Sequence, residues 1–168
     1  MFKCWSAERY AQFVDRLSEL GWRIVITGAP DSSERSLVDA IVAQTARSSR
    51  ANLVDLTGQL SLRELAAVTR EARICVGVDS APMHIAAAMQ TPVIALFGPS
   101  GEFEWGPWGV PHRIVTSMDH PCRPCGIDGC GGGKISECLT TLPVDRVCAA
   151  LAELIDATDA TGSVALQV

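Results

Sequence analysis

Val78, Asp79, Ser80, Ala81, Pro82, Met83 and His84 lead from an apolar run into a helix-forming one, and they combine the residue types that hold phosphate. Proline suits the first helical turn, where its missing N–H costs nothing. The free backbone N–H groups at such a start, with the positive end of the helix dipole behind them, favour a phosphate or pyrophosphate. Ser80 adds a hydroxyl donor, and His84 stands about one turn further on. The same residues also have a plainly structural account, in which Ser80 caps the helix, Asp79 satisfies orphan amides and His84 packs against a sheet. Residue types alone leave both open. A serine hydrolase is not indicated, because the segment lacks the G-x-S-x-G turn that a nucleophile elbow needs.

Cys122, Cys125, Cys130 and Cys138 form a second group, spaced C-x2-C-x4-C-x7-C in a Gly-rich loop over residues 120–140. Four thiolates so close suit a tetrahedral structural zinc. Plain thiols, disulfides or an iron–sulfur cluster are the alternatives, disulfides being disfavoured in a reducing compartment. Cys4, Cys75 and Cys148 are scattered. Trp105 and Trp108, in a Gly and Pro frame, either line a ligand site or close the loop onto the core, and the second is the commoner fate of such aromatics. Trp5 and Trp22 read as core or domain-interface residues.

The elements that must position these groups alternate. Apolar residues recur at helical spacing over residues 6–20 behind Ser6, and Gly21 ends the run. Residues 23–27 form a β-branched strand, a helix over 33–45 follows, and 52–56 is a second strand. Ser61 with Glu64 makes a capping box that opens the next helix. A strand over 74–78, a small-residue helix over 82–89 and a strand over 92–97 complete the pattern. Beyond Gly98 come a strand over 113–116, the cysteine loop and a helix from Val144 to about Ile155. Apolar strands separated by helices predict an α/β, Rossmann-like, three-layer parallel sheet. Its ligand crevice lies beyond the carboxyl ends of the strands. Three loops reach that edge, over residues 28–33, 79–84 and 98–102, and Gly28 and Asp31 belong to the first. The expected organisation is one domain over 1–156 and a frayed tail over 157–168.

The totals agree with one soluble domain: 168 residues, 48% hydrophobic and 20% charged, with 14 Lys and Arg against 19 Asp and Glu. That length buries a core without obligatory staples. The basic residues are scattered, which argues against nucleic acid as a partner but leaves a small anion open. No apolar stretch approaches the roughly 18 residues of a transmembrane segment, and no secretory leader follows Met1, so the chain reads as cytoplasmic.

The segments LTGQLSLREL from Leu56, VGVDSAPMHIAAAMQTPVIALFGPS from Val76 and WGPW from Trp105 together resemble the C-terminal half of the family 9 glycosyltransferases, which include the lipopolysaccharide heptosyltransferases. The resemblance runs from KCW at Lys3 to the last helix. It implies the C-terminal domain of a two-domain GT-B fold, with the nucleotide sugar held mainly by this half. By position, Asp79, Ser80 and Ala81 would contact the donor diphosphate with His84 beside them. Lys3, in a KCWS stretch similar to the family's K-x-W-P, would neutralise the departing phosphate. The 28–33 loop and Leu60 would flank the ribose and base.

Two positions depart from the family pattern. Ala81 stands where glycine is frequent, at little cost because a residue before proline is biased to extended backbone anyway. Ser32 replaces a glutamate found near the nucleotide in some members, so Asp31 or Glu34 would have to supply any carboxylate. The implied reaction is an inverting transfer of a heptose-type sugar from an ADP-sugar to a lipopolysaccharide core acceptor, at the inner face of the inner membrane, with no cofactor required for catalysis. The general base is expected in an acceptor-binding half outside this sequence. The chain would then be an excised domain, a truncated product or half of a split enzyme. A non-catalytic nucleotide-binding or interaction module is the alternative from another class. A nucleotide-sugar epimerase shares the two-domain plan, but LFGPS and WGPW weigh against it.

Overall fold

The computed structural model describes residues 3–158 and 163–167. Its six strands form one all-parallel sheet, flanked by helices on both faces, in the order β2-β1-β6-β3-β4-β5. The strands are β1 (Arg23–Thr27), β2 (Leu53–Asp55), β3 (Ile74–Val78), β4 (Val93–Phe97), β5 (His112–Thr116) and β6 (Ser163–Gln167). The helices are α1 (Ala7–Glu19), α2 (Ser32–Gln44), α3 (Leu62–Glu71), α4 (Ala81–Ala88), α5 (Glu102–Trp105), α6 (Glu137–Thr140) and α7 (Val144–Thr158). The Rossmann-like architecture expected from the alternation is therefore present. Among the described residues no helix is long and apolar enough to cross a membrane.

Every residue of β3 and β4 is buried, as a strand covered on both faces requires. Their side chains divide with the period of two that a strand imposes. Ile74, Val76, Val78, Ile94 and Leu96 join Tyr10, Phe13, Leu17, Val147 and Leu151 in the larger core, under α1 and α7. Cys75, Val93, Ala95 and Phe97 face the other way, against Met83, Ala86 and Ala87 of α4. The small side chains of α4 let its backbone lie close to the sheet, and this holds the start of α4 at the carboxyl end of β3.

The last strand corrects the expectation of a frayed tail. Helix α7 continues to Thr158, and β6 lies between β1 and β3, pairing Ile24 with Val164 and Cys75 with Ala165. Val164, Ala165 and Leu166 are fully enclosed. In the usual doubly wound order 3-2-1-4-5-6 the first strand of the chain holds this central place. Here the last strand holds it, which restores the same spatial order by a permuted route. Three apolar residues between Ser163 and Gln167 carry no periodic signal of their own, so tertiary pairing alone makes this segment a strand.

The amino-terminal segment is anchored through Trp5, whose indole N–H donates to the Leu142 carbonyl at 2.8 Å. Ser6 caps α1, accepting from the Arg9 N–H at 3.3 Å. Trp5 packs edge-on against Tyr10, ring centroids 5.3 Å apart, so that a hydrophobic residue ahead of the cap meets one inside the helix and fixes the angle of entry. That anchor sets the position of Lys3, two residues upstream. The capping box at α3 also forms: the Ser61 N–H donates to the Glu64 carboxylate at 2.8 Å, and the Glu64 N–H reaches back to the Ser61 hydroxyl at 3.4 Å.

Candidate functional site

Because the strands are parallel, the loops after β1, β3 and β4 open at one edge of the sheet, and the chemistry gathers around the loop after β3. Ser80 takes the extended backbone of an N-cap, at φ −156° and ψ 167°, but its side chain does not cap α4. Its hydroxyl instead donates to the Val78 carbonyl at 3.3 Å, a long bond that leaves the oxygen at the helix mouth. The first amides of α4 therefore receive no capping hydrogen bond from the Ser80 side chain. Ala81, expected to be extended because it precedes proline, is the first helical residue instead, and the extended position falls one earlier, at Ser80. The bias against helix before proline yields here because Pro82 sits in the first turn, where it gives up no hydrogen bond.

Asp79 is nearly buried, 9% exposed, and its carboxylate accepts from the Lys3 ammonium at 2.6 Å. Residues 76 positions apart in the sequence thus form one charge pair at the foot of α4. Asp79 is engaged by Lys3 rather than spent on helix amides. His84 is exposed, one turn above, rather than packed against the sheet. The structure therefore brings Lys3, Asp79, Ser80 and Ala81 together, with His84 on the same short helix.

The loop after β1 is arranged differently. Asp31 is the N-cap of α2 and accepts from the Ser33 N–H at 2.9 Å and the Glu34 N–H at 3.1 Å. The Ser33 hydroxyl and these amides hold its carboxyl below the usual carboxylate range. Glu34 folds back to accept from the Ala29 N–H. Both carboxylates offered in place of the missing glutamate already serve the loop's own backbone. A hollow of about 310 Å³ lies beside them, lined by Pro30, Asp31, Arg35, Thr57 and Gly58. Gly28 borders it through a carbonyl that accepts from the Gly58 N–H at 2.9 Å, and Leu60 is half-buried beyond this turn. Arg35 bridges Asp39 at 2.8 Å and Asp55 at 2.7 Å. Burial opposes ionisation of Asp55, but the bonds from Arg35 and Thr57 prevail and lower its pKa.

The loop after β4 meets the cysteine loop. A β-carbon on Gly98 would lie 2.6 Å from the buried Leu139 side chain, which would have to shift to admit it. The Arg123 Nε donates to the Gly98 carbonyl at 2.7 Å, its guanidinium pairs with Glu102 at 3.1 Å, and the Gly126 N–H donates to the Pro99 carbonyl at 2.9 Å. Cys138 is buried, whereas Cys122, Cys125 and Cys130 are exposed. Among the described residues no group of three or more His, Cys, Asp or Glu is placed to hold a metal ion. In this arrangement the loop is held by arginine and backbone bonds. Burial raises the Cys138 pKa, Arg123 works against that, and the other three thiols add to the rise.

Reactivity should follow this burial. A maleimide is expected to label Cys122, Cys125 and Cys130 quickly in the folded protein. Cys138, its pKa raised by burial, should react slowly; so should Cys4, whose thiol is pushed up to about 11 by burial, while Cys75, pushed up to about 12, should react only on unfolding. Protection of all four loop cysteines that a chelator removes would contradict this and reinstate the metal.

Sequence reasoning placed Trp5 and Trp22 correctly in the core. Trp105 and Trp108, given mainly a closing role, are 58% and 89% exposed. Glu104, Arg123 and Asp128 were missed, since they reach this edge only through the fold of α5 and the cysteine loop. A larger hollow, about 770 Å³, lies elsewhere, between β1, β2, β6 and α3, and contains none of the residues at the strand ends that carry the charge pair. Volume and chemistry disagree, and convergent polar groups are the better guide to a binding site.

The sequence model of glycosyltransferase family 9 (heptosyltransferase) matches residues 1–135. Lipopolysaccharide heptosyltransferase 3 of Escherichia coli K12 is 38% identical over 109 residues, 64% of this chain and 30% of the relative. Lipopolysaccharide heptosyltransferase 1 of Pseudomonas aeruginosa is 29% identical over 123 residues, 73% of this chain and 32% of the relative. Among solved structures, the family 9 glycosyl transferase of Veillonella parvula superposes with a TM-score of 0.76 at 27% identity, over 92% of this chain and 42% of that one. ADP-heptose lps heptosyltransferase II of E. coli shares the fold, with a TM-score of 0.78 at 23% identity over 94% of this chain and 44% of its own. The chain thus spans about a third of the curated relatives' length and under half of the solved chains. With a match of that extent to the family's sequence, on the family's fold, this chain belongs to glycosyltransferase family 9, the heptosyltransferases.

Proposed function

We propose that this chain is the donor-binding half of an inverting glycosyltransferase that moves a heptose-type sugar from an ADP-sugar to a lipopolysaccharide core acceptor. The observation that carries the reading is the uncapped start of α4 beside the Lys3–Asp79 pair at the carboxyl end of β3. A diphosphate docked there meets the Ser80 hydroxyl, the Ala81 N–H and the Lys3 ammonium, with His84 within the first turn. As the glycosyl bond breaks, negative charge grows on the leaving diphosphate. Fixed donors aimed at that charge lower the barrier without reorganising, and no metal is needed for the step. The base of the nucleotide lies towards the hollow at Pro30, Thr57 and Gly58. The acceptor and the general base belong to a facing half, so this chain alone is expected to bind donor and not to turn it over.

Calorimetric titration with ADP, UDP and GDP tests the reading. Selective ADP binding, weakened in Ser80→Ala and His84→Ala, is the expected result. Binding of none of the three nucleotides would leave the chain as an interaction module that keeps the fold.

A further inference from the structure

The hollow of about 770 Å³ between the sheet and α3 departs from a rule that the middle of the sheet keeps. A parallel sheet is covered on both faces, and β3 and β4 are buried throughout. Val25 in β1 is nonetheless only half-buried, and Val54, its partner in β2, is 43% exposed. With Ala165 of β6 they form the floor of the hollow, while Ala67 and Val68 of α3 form its wall. Helix α3 buries only Thr69 fully, so it lies over the sheet without closing on it. The volume falls within the range of small-molecule sites, about 300–1,000 Å³. Two arginines stand at one end of this space. Arg23 opens β1, Arg73 immediately precedes β3, and both line the hollow. The register sets Arg23 beside Ser163 and Ile74 beside Val164, so the two arginines are level, on the strands either side of β6, with their backbones roughly 10 Å apart. Side chains two apart in a strand share a face, which puts Arg23 on the side of Val25. Neither guanidinium has a hydrogen bond or ion pair among the described residues. Glu71, also in the lining, is engaged by Arg70 at 3.3 Å.

We propose that this trough binds a single-chain amphiphile, an alkyl or acyl chain ending in a phosphate. The apolar floor and wall take the chain, whose burial is favourable in proportion to the area removed from water. Charge complementarity selects the head. A planar guanidinium offers a fork of N–H donors that matches an anion. One fork occupies both oxygens of a carboxylate, whereas a phosphate has three oxygens and can accept from arginines on both sides of β6. Arg23 and Arg73 mark the amino edge of the sheet, and the start of α4 lies at the carboxyl edge. Five-residue strands hold these edges roughly 15 Å apart, so a ligand in the trough leaves the Lys3–Asp79 region free.

Calorimetry and amide chemical shifts test this on the whole chain with octyl phosphate and decyl phosphate, each kept below the concentration at which it self-associates. One molecule should bind, shifting Gly21, Val25, Val54 and Val68, and the two further methylenes should tighten binding roughly tenfold. Arg23→Gln and Arg73→Gln, both at exposed positions, should each weaken decyl phosphate about tenfold and leave the affinity for decanol unchanged. Ala67→Trp, which fills the space from an exposed helix position, should block both ligands, and thermal unfolding checks that all three variants fold. Affinity that ignores chain length, or that survives both arginine substitutions, overturns the proposal. Absence of binding to the parent chain overturns it too, and a dimer that Ala67→Trp dissociates would then identify a second copy as what covers this face.

Discussion

Removing residues 163–168 is expected to abolish cooperative folding. Strand β6 is the central strand of the sheet, hydrogen-bonded on one side to β1 and on the other to β3, and its loss leaves two half-sheets joined only through helices. Val164 and Leu166 are fully buried, and burying one such side chain contributes about 1.5–3 kcal/mol. With the ladder bonds on both edges, the loss approaches the whole stability of an ordinary domain, about 5–15 kcal/mol. Urea unfolding followed by circular dichroism checks this. Leu166→Ala is the milder form, with an expected cost of about 2–5 kcal/mol from the lost contacts and the cavity left behind. A truncated chain with an unchanged unfolding midpoint would show that β6 does not hold the sheet together.

The second large effect concerns the Lys3–Asp79 pair, whose two members should respond in opposite directions. Lys3→Met removes the cation nearest the proposed diphosphate and strands a carboxylate that is 9% exposed. A hydrogen bond to a charged group contributes about 1.5–3 kcal/mol, so nucleoside diphosphate affinity should fall on the order of tenfold to a hundredfold. The stability cost should stay below the roughly 3–5 kcal/mol of breaking a fully buried pair, because water reaches this one through Lys3, which is 36% exposed. Asp79→Asn keeps the shape and removes the negative charge. Lys3 then no longer divides its field between a carboxylate and a phosphate, and bare nucleoside diphosphate should bind several-fold more tightly. Calorimetry on both variants reads the two signs, and a loss of affinity in both would mean that Asp79 itself contacts the ligand favourably.

Much of this was legible in the residues. The strands over 74–78 and 92–97 are apolar without alternation, and only burial on both faces explains such runs. Ser61 and Glu64 announced a helix start by chemistry that acts within four residues, and the structure builds it. Asp79, Ser80 and His84 were recognisable because a strand, a small loop and a proline-started helix stand in sequence. What stayed hidden depended on distance along the chain. Residues 163–167 are a strand only because β1 and β3 leave a place for one. Asp31 looked available to a nucleotide, but an aspartate ahead of a helix first serves the orphan amides beside it. Arg123, which braces the cysteine loop on Gly98 and Glu102, has no motif to mark it. Glu104 and Trp105 face a hollow whose other wall lies some twenty residues further on, and no local pattern joins the two.

Docking of a diphosphate at the start of α4 can be read from amide chemical shifts during an ADP titration. The largest changes are expected at Ser80, Ala81, Met83 and His84, with the Lys3 side chain responding in parallel. Largest changes instead at Gly21, Val25, Val54 and Val68, around the bigger hollow between β1 and α3, would contradict it.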